Sequence, residues 1–511
     1  MILLKFLKLL THRITIVVFL LLVQLALVFA SIYVFRDYFV YFYIVNFFLS
    51  LAAILHIING RSNPAYKIAW LVPVTTLPII GVVIYIIFGR LRVRKKFHTK
   101  MGRALEKEKE AIANTVPDLD INQFAHTNAT IQSTYLKDNS GMPAFKNTES
   151  TYLPFGEEAF AALKEELEKA EKYIFMEYFI IDEGKMWDEI LDILIRKAAA
   201  GLDVRLMYDD FGCLLTLPEG YHKQIEKFGI KCSVFNPFVP VLSSIFNNRD
   251  HRKITVIDGK VAFTGGINLA DEYINEIQRF GHWKDNAIMM RGEAAWGFTI
   301  LFLSIWDFQR PSDERYEDFY PGPQKIEGSK GVYQPYSDSP FDNETLGENV
   351  YLNLINRAEK YVYITTPYLI IDNLLMEALC NAAKSGIDVR IQTPHISDKA
   401  YVHALTKSNY EQLLESGVRI FEYTPGFIHS KTFVVDDLYG TVGTVNMDFR
   451  SLFLHVECGV WMYQTEAIPQ LYQDFVDTEV LCEEITLEKA RDVRWITHLV
   501  RSILNVFAPL M

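Results

Sequence analysis

Cysteine is scarce: only Cys213, Cys232, Cys380, Cys458 and Cys482 occur in 511 residues, and no two stand in a Cys-x-x-Cys spacing. That excludes a zinc ribbon and a dithiol redox motif. An odd count suits a reducing compartment, where cysteines serve as small buried hydrophobes. A basic surplus is also missing, since the formal net charge is -11. This argues against a nucleic-acid partner, because general nucleic-acid binders carry a basic face that neutralises phosphates. Charge of either sign nearly vanishes from three runs in the first ninety residues: Ile14 to Phe35, Tyr38 to Ile58 with His56 as its one ionisable group, and Ile68 to Gly89. Each is long enough to cross a bilayer, which takes about 20 residues. A cleaved signal peptide fits poorly, because a secretory apolar region is only about 7–15 residues long.

Positive charge just beyond those runs sets an orientation. The basic stretch Arg90, Arg92, Arg94, Lys95, Lys96 and Lys100 belongs on the cytoplasmic side, where it attracts anionic headgroups. The expectation is a multi-pass cell-membrane protein with its catalytic body in the cytoplasm. Lys5, Lys8 and Arg13 place the N-terminus inside as well, which requires an even number of crossings. Two or three crossings stay open, and the segment with Pro73 and Pro78 is the suspect for a re-entrant turn.

The body repeats itself. Ala170-Glu171-Lys172-Tyr173 recurs as Ala358-Glu359-Lys360-Tyr361, 188 residues on, and Gly201-Leu202-Asp203-Val204-Arg205 recurs as Gly386-Ile387-Asp388-Val389-Arg390, 185 residues on. Each half reads as a strand (Tyr173 to Phe179), a helix (Trp187 to Ala199) and a strand (Val204 to Tyr208), which predicts two duplicated α/β units with helices covering their sheets. The expected organisation is a membrane anchor over 1–90, a basic juxtamembrane linker over 91–150, α/β units over 151–320 and 332–485 joined by a breaker-rich connector from Pro321, and an amphipathic tail over 486–511.

Chemistry enters with two copies of one motif. His251-Arg252-Lys253 is followed after four residues by Asp258 and after six more by Gly265-Gly266-Ile267-Asn268; His429-Ser430-Lys431 is followed at the same spacings by Asp436 and by Gly443-Thr444-Val445-Asn446. Five fixed positions match by chance with odds on the order of one in ten thousand at ordinary residue usage. Residues i and i+2 of a strand face one side, so His251 with Lys253, and His429 with Lys431, line one cleft. The Gly-x-x-Asn ends let backbone approach a ligand and bring Asn268 and Asn446 to it. Two imidazoles, two ammonium groups and two carboxamides suit an anionic phosphoester. The lysines and asparagines hold its oxygens, one histidine attacks phosphorus, and the other protonates the leaving oxygen, through a covalent phosphohistidine. This chemistry needs no cofactor and no metal, and a lysine two residues from each histidine repels a cation.

At these residues the chain resembles the phospholipase D superfamily, and within it the bacterial cardiolipin synthases. Further similar stretches are Phe235-Asn236-Pro237, Asp271-Glu272-Tyr273, Thr366-Pro367-Tyr368, Asn446-Met447-Asp448 and Arg450-Ser451. The resemblance implies two phospholipase D-like α/β sandwich units forming one body behind N-terminal transmembrane helices. It implies transfer of a phosphatidyl group from one phosphatidylglycerol to another, giving cardiolipin and glycerol at the bilayer. A lipid hydrolase, or a transferase with another acceptor, is the alternative that the same intermediate serves. His251 would be the nucleophile and His429 the acid and then the base, Asp258 and Asp436 would complete the motifs in a supporting role, and Asp285 and Glu457 would orient the imidazoles. Gly266 departs from the hydroxyl-bearing residue of the wider superfamily, which Thr444 keeps.

Two apolar features bear on lipid access. Gly229 to His251 spans 22 residues against 12 from Gly417 to His429, and the excess includes Pro237 to Leu242 with Ile245-Phe246. An apolar loop beside the site predicts insertion into the bilayer or an acyl-chain wall. Arg491 to Leu510 mixes arginines with Trp495, Ile496, Leu499, Val500, Ile503 and Leu504, the pattern of a helix lying at a membrane surface or docked on the body.

Overall fold

The computed structural model describes residues 39–89, 95–117, 124–237, 247–341 and 344–510, with scattered positions among 22–33 and at 119 and 121. The apolar insertion from 238 to 246, most of the first apolar run, and Arg90, Arg92 and Arg94 lie outside the described residues. The chain divides into two compact units, residues 1–93 with 237–247 and 506–511, and residues 94–236 with 248–505.

In the first unit, α1 (Phe39–Asn59) is followed by α2 (Pro64–Thr76) and α3 (Pro78–Ile84). Asn63 caps α2 by accepting from Ala65 N, and Pro64 starts it, where a missing N–H costs nothing. The run from Ile68 to Gly89, long enough for one crossing but suspected of a re-entrant turn at Pro73 and Pro78, is broken between two helices. Pro78 cannot continue α2, and α3 folds back so closely that a Cβ on Gly81 would meet Pro73 O at 2.1 Å. Ala53, Ile57, Trp70, Val74, Val82 and Tyr85 form the core of this unit. Among the described residues no helix is long and apolar enough to cross a membrane.

The second unit holds both α/β halves. Residues expected as a juxtamembrane linker are structured parts of it: α4 (Lys95–Thr115) and α5 (Thr127–Ser140). On α4, Met101, Ala104, Glu108 and Ala111 are buried, a helical stripe hidden in the sequence by the charges around it. Lys107 pairs with Asp307 at 2.9 Å, and Gln132 on α5 accepts from Trp461 Nε1 at 3.0 Å.

The first half contains β1 (Thr148–Leu153), α6 (Gly156–Lys169), β2 (Tyr173–Tyr178), α7 (Lys185–Ala199), β3 (Asp203–Asp209), β4 (Lys231–Phe235), β5 (Ile254–Ile257), β6 (Val261–Gly265), β7 (His282–Lys284), β8 (Ala287–Gly292) and α8 (Glu293–Gln309). Its sheet runs β1-β8-β6-β5-β2-β3-β4, with β2, β3 and β4 parallel and the other neighbours antiparallel. The second half contains β9 (Val332–Asp338), α9 (Leu346–Asn356), β10 (Tyr361–Thr365), β11 (Leu369–Ile370), α10 (Asn373–Lys384), β12 (Asp388–Pro394), β13 (Arg419–Tyr423), β14 (Gly426–Ile428), β15 (Thr432–Val435), β16 (Tyr439–Gly443), β17 (Met447–Asp448), β18 (Glu457–Tyr463), α11 (Ala467–Glu479) and β19 (Cys482–Ile485). Its sheet runs β9-β18-β16-β15-β10-β12-β13-β19. Strand for strand it repeats the first, with β19 added at one edge.

Helices bury one stripe each on these sheets. On α7 that stripe is Met186, Trp187, Ile190, Ile193 and Leu194, the spacing of one helical face. Helix α8 is buried along its length from Ala294 to Phe308 and touches strands of both sheets, β2, β4, β5, β6 and β8 on one side and β9 on the other. Each half has its own apolar core, and β6 lies against β16 and β18 where the sheets meet.

The motif aspartates, grouped with the catalytic residues in the sequence, sit at the far ends of β5 and β15. Asp258 accepts from the backbone N–H groups of Glu171, Lys172 and Tyr173 at 2.7–2.8 Å. Asp436 does the same for Glu359, Lys360 and Tyr361 at 2.7–2.9 Å. Both take positive φ, 53° and 56°, a conformation short polar side chains tolerate. Their contribution is to pin the start of β2 and β10. The repeated Ala-Glu-Lys-Tyr segment is therefore the other half of each motif, since it supplies the donors.

Candidate active site

Each histidine leaves a parallel pairing between the two halves. Strand β7 pairs with β14, and immediately afterwards His429 N donates to Lys284 O at 2.7 Å. On the other side Asp250 bridges to Val456, Val456 N donates to Arg249 O at 2.7 Å and His251 N donates to Val456 O at 2.9 Å. The residue that follows Lys284 is Asp285, and the residue that follows Val456 is Glu457. Backbone pairing thus delivers to each histidine a carboxylate from the opposite half. His251 and Lys253, like His429 and Lys431, lie in extended segments leading into β5 and β15 rather than within the strands.

Side chains complete the exchange. His251 Nδ1 lies 2.9 Å and 3.0 Å from the two oxygens of Glu457, and His429 Nδ1 lies 2.7 Å from Asp285 Oδ2. Both carboxylates are fully buried, while the imidazoles keep 7% and 6% exposure, enough to present an edge to the cleft. A ring whose Nδ1–H is donated to a carboxylate has a bare Nε2. Burial, then the charges of Lys253, Lys431 and His429, hold His251 well below the ordinary histidine range. Burial and Lys431 bring His429 down to about 4 against the pull of Asp285. Burial alone would raise Asp285, but His429 and Lys431 reverse this and its carboxyl lies below the usual value. Two neutral imidazoles with free lone pairs result.

The lysines are held beside them by their own motif. Lys253 Nζ donates to His251 O and Lys431 Nζ donates to His429 O. The 2.9 Å approach of Lys431 Nζ to His429 Nδ1 makes no hydrogen bond while that nitrogen carries the proton shared with Asp285; the closer, charged carboxylate is the better partner. Burial lowers Lys253 to about 8 and Lys431 to about 7. Neither has a carboxylate in salt-bridge contact among the described residues, so both await an anion.

The two asparagines are not equivalent. Asn268 accepts from Ile180 N at 3.0 Å and donates to Tyr273 OH at 2.7 Å, so its oxygen and one of its two N–H donors hold the loop. Asn446 Oδ1 is buried with no partner. Gly266 is explained by packing: a Cβ there would lie 2.1 Å from Asp285 Oδ1. Thr444 at the matching position donates through its hydroxyl to Glu457 Oε2.

Several site residues escape a reading of the sequence. The ring of His429 is walled by Trp283, Tyr273 and Phe427, with centroids 5.3, 5.8 and 5.8 Å away. His251 packs instead against Phe179 at 5.0 Å and His455 at 5.5 Å. Trp283 and His455 each stand two residues before an orienting carboxylate, the same-face spacing of an extended chain, and that signal was available. His251, His455 and Glu457 are the one set among the described residues whose donor atoms come within 4.8 Å of one another. Two buried ammonium groups beside them make it a poor cation site. Arg252, between His251 and Lys253, is buried and donates to Glu177 at 2.7 Å, which anchors the first motif from behind.

Known proteins are similar to this chain in sequence and in fold. Residues 163–279 and 351–478 match a family described as "Cardiolipin synthase, PLD-like domain", and residues 48–90 match one described as "Phospholipase_D-nuclease N-terminal". The chain is 41% identical to a protein of Streptococcus mutans over 90% of its length and 100% of that protein's. It is 32% identical to a cardiolipin synthase of Halalkalibacterium halodurans over 88% of its length and 90% of that protein's. In fold it is similar to the phosphatidylserine synthase of Haemophilus influenzae, with a TM-score of 0.55 at 17% identity, covering 74% of this chain and 98% of that one.

The lysines set a pH dependence. An ammonium lowered to about 7 or 8 is charged below that pH and loses its charge above it. Affinity for sulfate, an oxyanion whose own charge is constant over this range, is therefore expected to be full near pH 6. It should weaken by about tenfold or more by pH 9, measured by calorimetry. A flat profile would contradict the assignment.

Proposed function

Because the chain belongs to the cardiolipin synthase family of phospholipase D-like proteins, we propose that it is a phosphatidyltransferase that makes cardiolipin and glycerol from two molecules of phosphatidylglycerol through a covalent phosphohistidine. The observation that carries the reading is the pair of crossed histidine–carboxylate contacts beside two buried lysines without carboxylate partners. Lys253 and Lys431 neutralise the donor phosphodiester, and the Asn446 carboxamide packs beside it. In the role the resemblance gives it, His251 attacks phosphorus through Nε2. The phosphorus–oxygen bond to the headgroup glycerol breaks, and protonated His429 supplies the proton to that oxygen. The bound anion favours this protonated form, offsetting the neighbouring cations. His429, now neutral, takes the proton from the hydroxyl of a second phosphatidylglycerol as its oxygen attacks phosphorus. The phosphorus–nitrogen bond breaks, His251 is restored, and His429 again holds its proton. Glu457 balances the charge on phosphorylated His251, a preorganised electrostatic role.

The decisive assay incubates purified enzyme with phosphatidylglycerol labelled in phosphorus. Cardiolipin with release of glycerol is the expected result. Phosphatidic acid as the main product would instead identify a hydrolase. With His429→Asn a labelled, acid-labile adduct should accumulate, and with His251→Asn it should be absent; the opposite pattern reverses the two roles.

We also propose the cell membrane as the place of action, with the N-terminal unit as a multi-pass anchor and the body in the cytoplasm. Three nearly uncharged runs and the basic residues after them support this. So does α12 (Trp495–Phe507), which exposes Trp495, Ile496, Leu499, Val500 and Ile503 along one face. In isolated membranes the protein should resist alkaline extraction, and protease should digest the body only in inverted vesicles. Digestion only in right-side-out vesicles would place the body outside.

A further inference from the structure

His455 is a buried imidazole at the site, and phosphatidyl transfer by His251 and His429 leaves it without a task. The short helix Phe449–Phe453 is capped by Asp448, whose side chain accepts from Ser451 N at 2.8 Å. As the helix ends, His455 N donates to Arg450 O at 2.9 Å. The same two residues meet again through their side chains, with Arg450 Nε donating to His455 Nε2 at 3.2 Å. A ring nitrogen that accepts from a guanidinium carries no proton, so the single proton of a neutral imidazole sits on the other nitrogen. Burial lowers His455 to about 3, which keeps the ring neutral at working pH. The proton is therefore on Nδ1.

In the resting site that N–H makes only a long contact. His455 Nδ1 is buried without a hydrogen-bond partner, and a buried donor left unmade is costly. It points toward Glu457 Oε1 at 3.6 Å, the oxygen that lies 2.9 Å from His251 Nδ1. The rings of His455 and His251 are 5.5 Å apart. Arg450, His455, Glu457 and His251 thus form an unbroken series in which each group faces the next. The first half has no counterpart, because the matching position before Asp285 is Trp283, which offers His429 a ring face at 5.3 Å.

We infer that Arg450 and His455 are positioning residues for His251: Arg450 fixes the tautomer of His455, and the His455 Nδ1–H holds Glu457 in the place from which its carboxylate meets His251 Nδ1 during adduct formation. The inference rests on the covalent reading of the site. An N–H set against Oε1 restricts the carboxylate to the orientation that steers the attacking imidazole, and a reacting group oriented in advance accelerates a step. Its restriction to the His251 side matches the side on which the covalent bond forms. Lys253, Lys431, His429 and Lys399 also act on His251, but among the described residues none of the four hydrogen-bonds Glu457; Thr444 holds its Oε2, which leaves Oε1 to His455.

The test uses the full-length enzyme and rapid-quench measurement of labelled adduct formation from phosphatidylglycerol. His455→Phe keeps the ring contact and removes the donor; His455→Asn puts an amide N–H where Nδ1 stood. Adduct formation should slow by about tenfold or more in the Phe variant, with a much smaller change in KM, and the Asn variant should recover to within about threefold of the parent. Equal slowing in both variants, or a Phe variant that forms adduct at the parental rate, overturns the inference. Should His455→Phe fail to fold, judged by thermal unfolding, Arg450→Met releases the tautomer lock and is expected to slow adduct formation severalfold; a parental rate there overturns it. A parent enzyme that gives no adduct at all refutes the covalent reading itself, and this inference with it, a result distinct from either variant outcome.

Discussion

The site depends on an exchange between the halves: each imidazole is held by a carboxylate that the other half supplies. His251 cannot keep its tautomer without Glu457, nor His429 without Asp285, and the carboxylates arrive only because β7 pairs with β14 and Asp250 bridges to Val456. Neither half is a complete catalyst. Duplication produced two similar scaffolds, and the crossing of their segments made one site of them.

Burial gives that exchange its force. Among these buried groups the histidines stay neutral, the lysines hover near neutrality, and Asp285 stays below the usual carboxylate value because His429 and Lys431 adjoin it. Small residues follow from the same crowding. Asp285 approaches so closely that position 266 has room only for glycine, whereas Glu457 reaches from farther away and Thr444 fills the space with a hydroxyl that binds it. The departure from the wider superfamily at Gly266 is thus compensated by the carboxylate beside it. The two sides differ: His429 is boxed by three aromatic rings, and His251 lies between Phe179 and the second imidazole of His455.

The duplication and both motifs were legible in the sequence, because alternation along an extended chain leaves a fixed two-residue mark and repeats preserve spacing. Elements of the first half fall within a residue or two of expectation, as β2, α7 and β3 show. The resemblance gave the motif aspartates a supporting role, but the backbone groups they hold were hidden, because sequence spacing does not tell which end of a strand faces the ligand. The helices α4 and α5 were read as linker because their charges mask a narrow buried stripe that only a partner surface reveals. That Asn268 also holds its own loop, through Ile180 and Tyr273, leaves no mark in the spacing of the motif. Which carboxylate serves which histidine was beyond sequence reach for a physical reason: the partners are 206 and 144 residues apart, and the pairing crosses halves.

That crossing is open to direct measurement by single-turnover kinetics of Glu457→Gln and Asp285→Asn with labelled phosphatidylglycerol. If Glu457 serves His251 and Asp285 serves His429, the Gln variant should lose adduct formation, whereas the Asn variant should form adduct and discharge it slowly. Loss of adduct formation in Asp285→Asn, with slow discharge in Glu457→Gln, would show that each half serves its own histidine and would contradict the account.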